Sequence, residues 1–492
     1  MLKLKNGIII LLLFVSFQIN AADYNASMFG IKSNGTTLNT TAIQKAIDYI
    51  HDQGGGTLKF YVGRYLTGEI ELKSNVTIYL GEGAILLGST NIYDYRIDTK
   101  YSSLVFAYKA ENIAIKGKGV LDGQGKAASY SLQDQIHKGI IKDKLSNDRP
   151  ANHRPHIILF RECKNVKVSG ILMKDAGDWV QFYDQCENLD IDGITVDSKN
   201  FWNNDGIDIV DCKNVKLTNS FVDASDDAIC FKSHDKTKIC ENVEVRNCVA
   251  RSSANGIKFG TVTAGGFKNF KIINNKVYDT YRSAITIATP DGGNIENILV
   301  DSLYAYNTGN AIFLRICARR GNERIGTMKD ITISNMYAEI SATKPDAGYE
   351  YEGPIEDLPR NISPSIIAGI PGHDITNVTI KNVKIVCPGG GNRNYAYRGT
   401  TPSELNSVPE MISSYPEFSQ FKELPAWGFY IRHAKNIKIE NVILTAKEKD
   451  YRRAVVLDDV KGATFENVKY NEPGVWKNKY SIYKSSGVIR KK

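Results

Sequence analysis

The chain has 492 residues, 42% of them apolar, with 62 basic against 54 acidic side chains for a formal charge of +8. That size accommodates two or three ordinary domains or one long repetitive one. The charge is mild and no block of consecutive Lys/Arg marks a nucleic-acid surface, so the balance suits an anionic polymer without implying one.

Residues 1–22 read as an export signal. Lys3 and Lys5 form a basic start, Ile8 to Val15 an apolar run, and Ile19-Asn20-Ala21-Ala22 a small-residue cleavage region. The apolar run is too short to span a bilayer, which argues against a membrane anchor. No Cys follows the cleavage region, which argues against a lipid anchor there. Residues 23–492 are expected to form a single secreted or periplasmic domain.

Next, Ala42, Ile43, Ala46, Ile47 and Ile50 share one face of an expected helix, with Thr40 or Thr41 as its cap and Gly54-Gly55-Gly56 at its end. Residues 57–125 read as irregular coils of a repeat. The polar segment 126–153 shows little alternation and is expected to be an insertion near a cleft. From Arg154 to Ile316 the repeat is most regular. Further insertions are expected near 343–364 and 388–427, carrying Tyr349, Tyr351, Tyr395, Tyr397 and Trp427, because long loops on a rigid scaffold are common places for recognition. Coils resume at Asn436 and are expected to fade by about Tyr470.

The repeat is Asn, apolar, any residue, apolar. It recurs at Asn165, Asn188, Asn214, Asn242, Asn269 and Asn297, at intervals of 23, 26, 28, 27 and 28 residues. Weaker copies start at Asn75, Asn112, Asp330, Asn377 and Asn436. Alternating strands this short cannot bury a face alone and must stack on their own copies. The fold class expected is all-β, a parallel β-helix with the Asn side chains forming an internal ladder. The N-terminal helix would cap the open first coil, whose strand edges would otherwise be exposed. A β-sandwich or a propeller would need hairpins, and two-residue Asn-Gly or Asp-Gly connections are rare here.

There are eight Cys. Three recur at one position of the repeat, in Glu162-Cys163-Lys164-Asn165, Gln185-Cys186-Glu187-Asn188 and Asp211-Cys212-Lys213-Asn214, which favours buried, stacked thiols over disulfides. Metal spacing of the CxxC type is absent.

Three polar clusters each precede a short apolar strand: Asn203-Asn204-Asp205-Gly206-Ile207-Asp208, Asp226-Asp227-Ala228-Ile229-Cys230-Phe231-Lys232 and Asn255-Gly256-Ile257-Lys258. Their offsets from the repeat Asn place them at one edge of successive coils, which gathers Asp205, Asp226 and Asp227. Neighbouring carboxylates repel, so at least one keeps its proton to higher pH than a free Asp. A protonated acid beside an ionised carboxylate is what glycoside hydrolysis needs. For Asp208 and Asp223 the plain alternative, an Asp that holds a turn by bonding the backbone, weighs seriously. Asp190 and Asp192 with the Asp cluster offer oxygen ligands for calcium as the competing use.

On these residues the chain resembles glycoside hydrolase family 28, the polygalacturonase and rhamnogalacturonase group. Asn203, Asp205, Gly206 and Asp208 match its Asn-x-Asp-Gly-x-Asp pattern, and Asp226-Asp227 its following Asp-Asp. The resemblance implies a right-handed, pectin-lyase-like β-helix and an inverting hydrolase of a pectin-type acidic polysaccharide, galacturonan or rhamnogalacturonan. Asp226 would be the general acid, and Asp205 and Asp227 would hold the attacking water. Two departures stand out: Asn255 replaces the His of Gly-His-Gly, and Thr286-Ile287-Ala288 replaces the Arg-x-Lys grip on the substrate carboxylate. Candidate substrate contacts are Asn203, Asn255, Lys258, Arg282 and Trp179, with Arg315 and Arg319 as further cations. Trp179 stacks on a sugar or belongs to the core. His234 is a second candidate for chemistry, and His433 is expected to be structural. No cofactor or metal is expected, the partner is a polysaccharide, and the chain is expected to act as a monomer. Rival readings are a calcium-dependent lyase on the same fold and a carbohydrate-binding β-helix without turnover.

Overall fold

The computed structural model describes residues 22–97, 100–146, 148–321, 324–343, 345, 363–395, 398–473 and 477–492. The expected export signal apart from Ala22, together with Tyr349, Tyr351, Tyr397 and most of the 343–364 insertion, lies outside the described residues.

The short alternating strands stack as expected. Pairing between coils is parallel, and in the regular coils the pairings fall into three separate series, one for each face of the stack. The first carries the repeat, for example Lys164–Ser169, Glu187–Asp192, Lys213–Thr218 and Cys240–Arg246, each paired with the next. A second runs through Leu172–Lys174, Thr195–Ser198, Phe221–Ala224 and Val249–Ser252. The third runs through Pro155–Arg161, Gln181–Asp184, Ile207–Val210, Ile229–Ser233 and Ile257–Thr263.

In-register pairing places like residues on top of one another, so Ile113, Val166, Leu189, Val215 and Val243 form one buried apolar column. Burying each such side chain contributes about 1.5–3 kcal/mol. The cysteines join these columns: all eight are free and buried, and the Cys186 amide donates to Cys212 Sγ at 3.3 Å.

The Asn ladder is present, but it runs along the exposed outside of the coil corner and not inside the stack as expected, because the apolar side chains fill the interior. Each amide donates to the carbonyl of the Asn one coil earlier, from Asn112 on Asn75 through Asn297 on Asn269, at 2.7–3.2 Å. These residues have φ of 54–64°, the left-handed region that Asn tolerates better than most side chains. At Asp330 the run changes: its carboxylate accepts from Asn377 but has no N–H to pass on. A second ladder, which the repeat pattern did not disclose, runs through Asn219, Asn247 and Asn274.

Helix α1 (Thr40–Asp52) lies over the first coil with Ile43, Ala46, Ile47 and Ile50 fully buried. The expected Thr cap is not what starts it. Asn39 holds the cap position without a side-chain cap bond, its amide being spent on the backbone of Lys32 and Thr37, while Thr40 Oγ1 accepts from the Gly68 amide.

Three other expectations are corrected. Segment 126–153 is mostly ordered structure: α2 (Gly125–His137) packs Leu132 against Ile92 and Tyr95, and Leu145–Ser146 pairs antiparallel with Arg149–Pro150. Trp427 is not a loop aromatic; it is 1% exposed and lies in the core strand Ala426–Ala446. The coils do not fade at Tyr470, because Tyr480–Tyr483 and Ser486–Lys491 extend the stack. Their composition hides this, but parallel backbone pairing needs little from the side chains.

Candidate active site

The outer face of the third sheet carries the polar clusters. The turn before each of its strands hydrogen-bonds to the turn of the next coil: Val180 N donates to Asp205 O, Gly206 N to Asp227 O and Ala228 N to Asn255 O. The equivalence inferred from spacing therefore holds, and Asp205 sits one rung from Asp226 and Asp227. Gly206 is required there, because a Cβ would meet Val222 Cγ1 at 2.2 Å and Ala228 O at 2.6 Å.

The oxygens of Asp205 and Asp227 come within 4.8 Å of each other, beside the Cys230 thiol. Both carboxylates are buried, whereas Asp226 is half-buried. Asp226 accepts from Asn203 Nδ2 at 3.2 Å and from the Asp227 amide at 3.0 Å. Asn203 is itself oriented by Arg154, which also binds the carbonyls of Gly177 and Trp202 and pairs with Asp178 at 3.1 Å.

Asp227 is the most heavily coordinated of the three. It accepts from the Asn255 amide and Nδ2, at 3.1 and 2.7 Å, and from Lys258 Nζ at 2.7 Å. Burial alone would raise its pKa, but Lys258, Arg282 and Lys232 overcome that and hold it at about 2.

Asp205 is the opposite case. It faces Lys232 Nζ at 2.8 Å, but Lys232 also bonds Asp208, which is fully buried. One ammonium thus serves two carboxylates. Burial pushes Asp205 well above the usual range and Asp208 up to about 7, against the pull of Lys232. Of the three clustered acids Asp205 is the one pushed upward, by burial first and by its acidic neighbours only second.

Asp208 is therefore no turn residue. It lies mid-strand and is the buried counter-charge of Lys232. Asp223 is also in a strand, paired with Lys199 and Arg251. Both signs were readable as charged residues at outward positions of a strand, as was Lys232; the sequence reading gave Lys232 no role.

The remaining candidates fall into two groups. Lys258 is in the cluster, with Tyr415 Oη at 3.3 Å. Trp179 is half-buried, its ring 4.0 Å from Lys232 Nζ and 4.9 Å from Phe182. Asn203 touches the acid, as above. Asn255 is buried and fully engaged: its Oδ1 accepts from Thr286 Oγ1 at 2.8 Å while its amide holds Asp227. It orients a carboxylate rather than presenting its own amide outward. Arg282 pairs with Glu417 at 3.0 Å. Arg319 is bidentate on Asp291, and Arg315 is buried on the carbonyls of Gly369 and Met411.

His234 is flanked by Trp179 and Phe182 and held at about 4 by burial and Lys232, so it is neutral at pH 7. His433 joins Asp459 to Glu410, which is structural as expected. Tyr415 and Glu417 come from the 388–427 insertion, and nothing in that stretch singled them out.

For calcium, the expected oxygens are occupied: Asp190 pairs with Lys167, and Asp192 accepts from Thr218 and Asn219. In the cluster itself, two ammonium groups hold the carboxylate oxygens that a divalent cation would need.

A parallel coil stack that carries a half-buried acid beside a buried carboxylate pair, taken with the family match that follows, makes this a β-helical glycoside hydrolase. The chain belongs to glycosyl hydrolases family 28, whose family profile matches residues 56–343. It is 25% identical to an exo-poly-alpha-D-galacturonosidase of Dickeya chrysanthemi, over 73% of this chain and 71% of that one. It is 23% identical to an exopolygalacturonase of Zea mays, over 76% of this chain and 86% of the relative. The fold is shared with a hyperthermoactive exopolygalacturonase from Thermotoga maritima at 22% identity and a TM-score of 0.63, covering 87% and 92% of the two chains.

Proposed function

We propose that this hydrolase cleaves a pectin-type acidic polysaccharide, galacturonan or rhamnogalacturonan, by single displacement with inversion. The observation that supports the reading is that three carboxylates on adjacent rungs sit in different surroundings, one half-buried and two buried with opposite pKa directions. Asp226, at the rim and hydrogen-bonded by Asn203, donates the proton to the leaving oxygen. Asp227, kept anionic by Lys258, orients the attacking water, and Asp205, the more basic of the two, accepts its proton. The galacturonan-cleaving relatives support the substrate class, and the start of the chain supports export. Release from a chain end is consistent with the exo-acting names of those relatives.

The test is incubation with homogalacturonan and rhamnogalacturonan, with and without chelator, following reducing ends and near-ultraviolet absorbance, with Asp226→Asn alongside. New reducing ends without absorbance, insensitive to chelator and reduced about 10²–10⁴-fold in the variant, are expected. An absorbing, chelator-sensitive product would establish a lyase instead.

A further inference from the structure

The cations around the carboxylates are already matched. Lys232 is held by Asp205 and Asp208, Lys258 by Asp227, Arg282 by Glu417, Arg154 by Asp178 and Arg319 by Asp291. A substrate carboxylate recruited by any of these would have to displace a protein carboxylate from a largely dry pair, and breaking such a pair is costly.

Arg149 differs. It lies on the short strand Arg149–Pro150, is half-buried, and its Cζ stands 5.1 Å from the Trp202 ring centre. Among the described residues its guanidinium makes no ion pair or hydrogen bond. Trp202 is the residue before Asn203, whose amide donates to Asp226. The anions whose field reaches Arg149 are Asp226 and Asp178. Arg149 therefore stands close enough to Asp226 and Asp178 to feel their charge, with its planar fork laid on an aromatic face and its N–H groups unspent.

We propose that Arg149, supported by Trp202, grips the carboxylate of the leaving-side sugar and so sets the preference for a uronate at that position. This rests on the reading of Asp226 as the acid of a pectin-type hydrolase. It also accounts for how the chain manages without the Arg-x-Lys pair, which is Thr286-Ile287-Ala288 here. The positive group comes from an excursion outside the coils instead of from a core strand.

The experiment compares steady-state hydrolysis of trigalacturonate and of its methyl ester by the full chain and by Arg149→Ala and Arg149→Lys. The wild type should prefer the free acid. In Arg149→Ala, KM for the acid should rise about 10- to 100-fold, the worth of a charge-assisted hydrogen bond, with kcat changed far less and the ester unaffected. Arg149→Lys should keep part of the preference. Added salt should raise KM of the wild type and leave that of Arg149→Ala flat. An unchanged preference in Arg149→Ala, or an equal fall on acid and ester, overturns the assignment. A wild type that turns over neither compound, nor either polymer, overturns the pectin reading and this inference with it.

Discussion

Lys258 Nζ lies 2.7 Å from Asp227 Oδ2, and both groups are buried. Lys258 stands where its strand pairs with Thr286 on one side and Cys230 on the other, so the ammonium belongs to the outward row of the site sheet. It keeps Asp227 ionised even though burial favours the neutral acid.

Lys258→Met should therefore raise the pKa of Asp227 from about 2, since the burial penalty remains and its main counterweight is gone. The acidic limb of the kcat/KM–pH profile should move to higher pH, with the alkaline limb unmoved. A profile that only falls in height would show that Lys258 acts otherwise.

The same depressed pKa is a stability term. The Asp227 carboxyl sits below its usual 3.8 in the folded state, so it stabilises the fold above about pH 4 and loses that contribution as pH falls toward 2. Asp208 has the opposite sign. Its folded pKa of about 7 lies above the unfolded value, so its contribution is greatest below pH 4 and is lost as pH rises to 7. Asp208→Asn should flatten the decline between pH 4 and 7, as read from urea midpoints across that range.

Lys232→Met leaves two buried carboxylates without their shared ammonium. Removing one partner of a buried pair typically costs about 3–5 kcal/mol. Adding Asp208→Asn to the same chain should recover part of that loss, because one orphaned charge is removed. Equal stability of the single and double variants would mean that Asp208 carries no charge in the Lys232→Met protein.

Asn242 donates to Asn214, accepts from Asn269 and holds φ at 58°. Asn242→Ala should cost about 1–2 kcal/mol, combining lost hydrogen bonds with left-handed strain. Asn242→Gly should cost less, since glycine takes that φ freely. Denaturant midpoints rank the two.

The eight thiols are free and buried. A thiol-specific reagent should label them slowly in the native protein and completely in denaturant, and a reductant should leave the melting temperature unchanged.

The sequence disclosed most about what repeats. Asn165, Asn188 and Asn214 announced the strands because one physical requirement, a left-handed corner closed by a side-chain amide hydrogen bond, recurs at each coil. Asp205, Asp226 and Asp227 could be brought together for the same reason: fixed offsets on a fixed coil become neighbours in space. What did not repeat was not legible. Tyr415 and Glu417 reach the site from a loop whose path depends on the apolar pocket formed by Phe313, Ile366 and Phe418. The helix at Gly125–His137 has a weak apolar face, with only Gly125, Ala128, Ser129 and Leu132 buried, and so passed for a loop. Asp208 was misread because Asp is common in turns, while its place in the alternation, facing outward between Ile207 and Ile209, was the better guide.

The Asn ladder closes the same bond across very different lengths of chain. Asn188 reaches Asn165 across 23 residues, and Asn436 reaches Asn377 across 59. The corner therefore works as a bookmark: whatever the intervening chain does, it returns to one page. Loops on such a scaffold can lengthen, shorten or be exchanged without disturbing the rung below, so the surroundings of the site can change while the rungs that carry the acids stay in place.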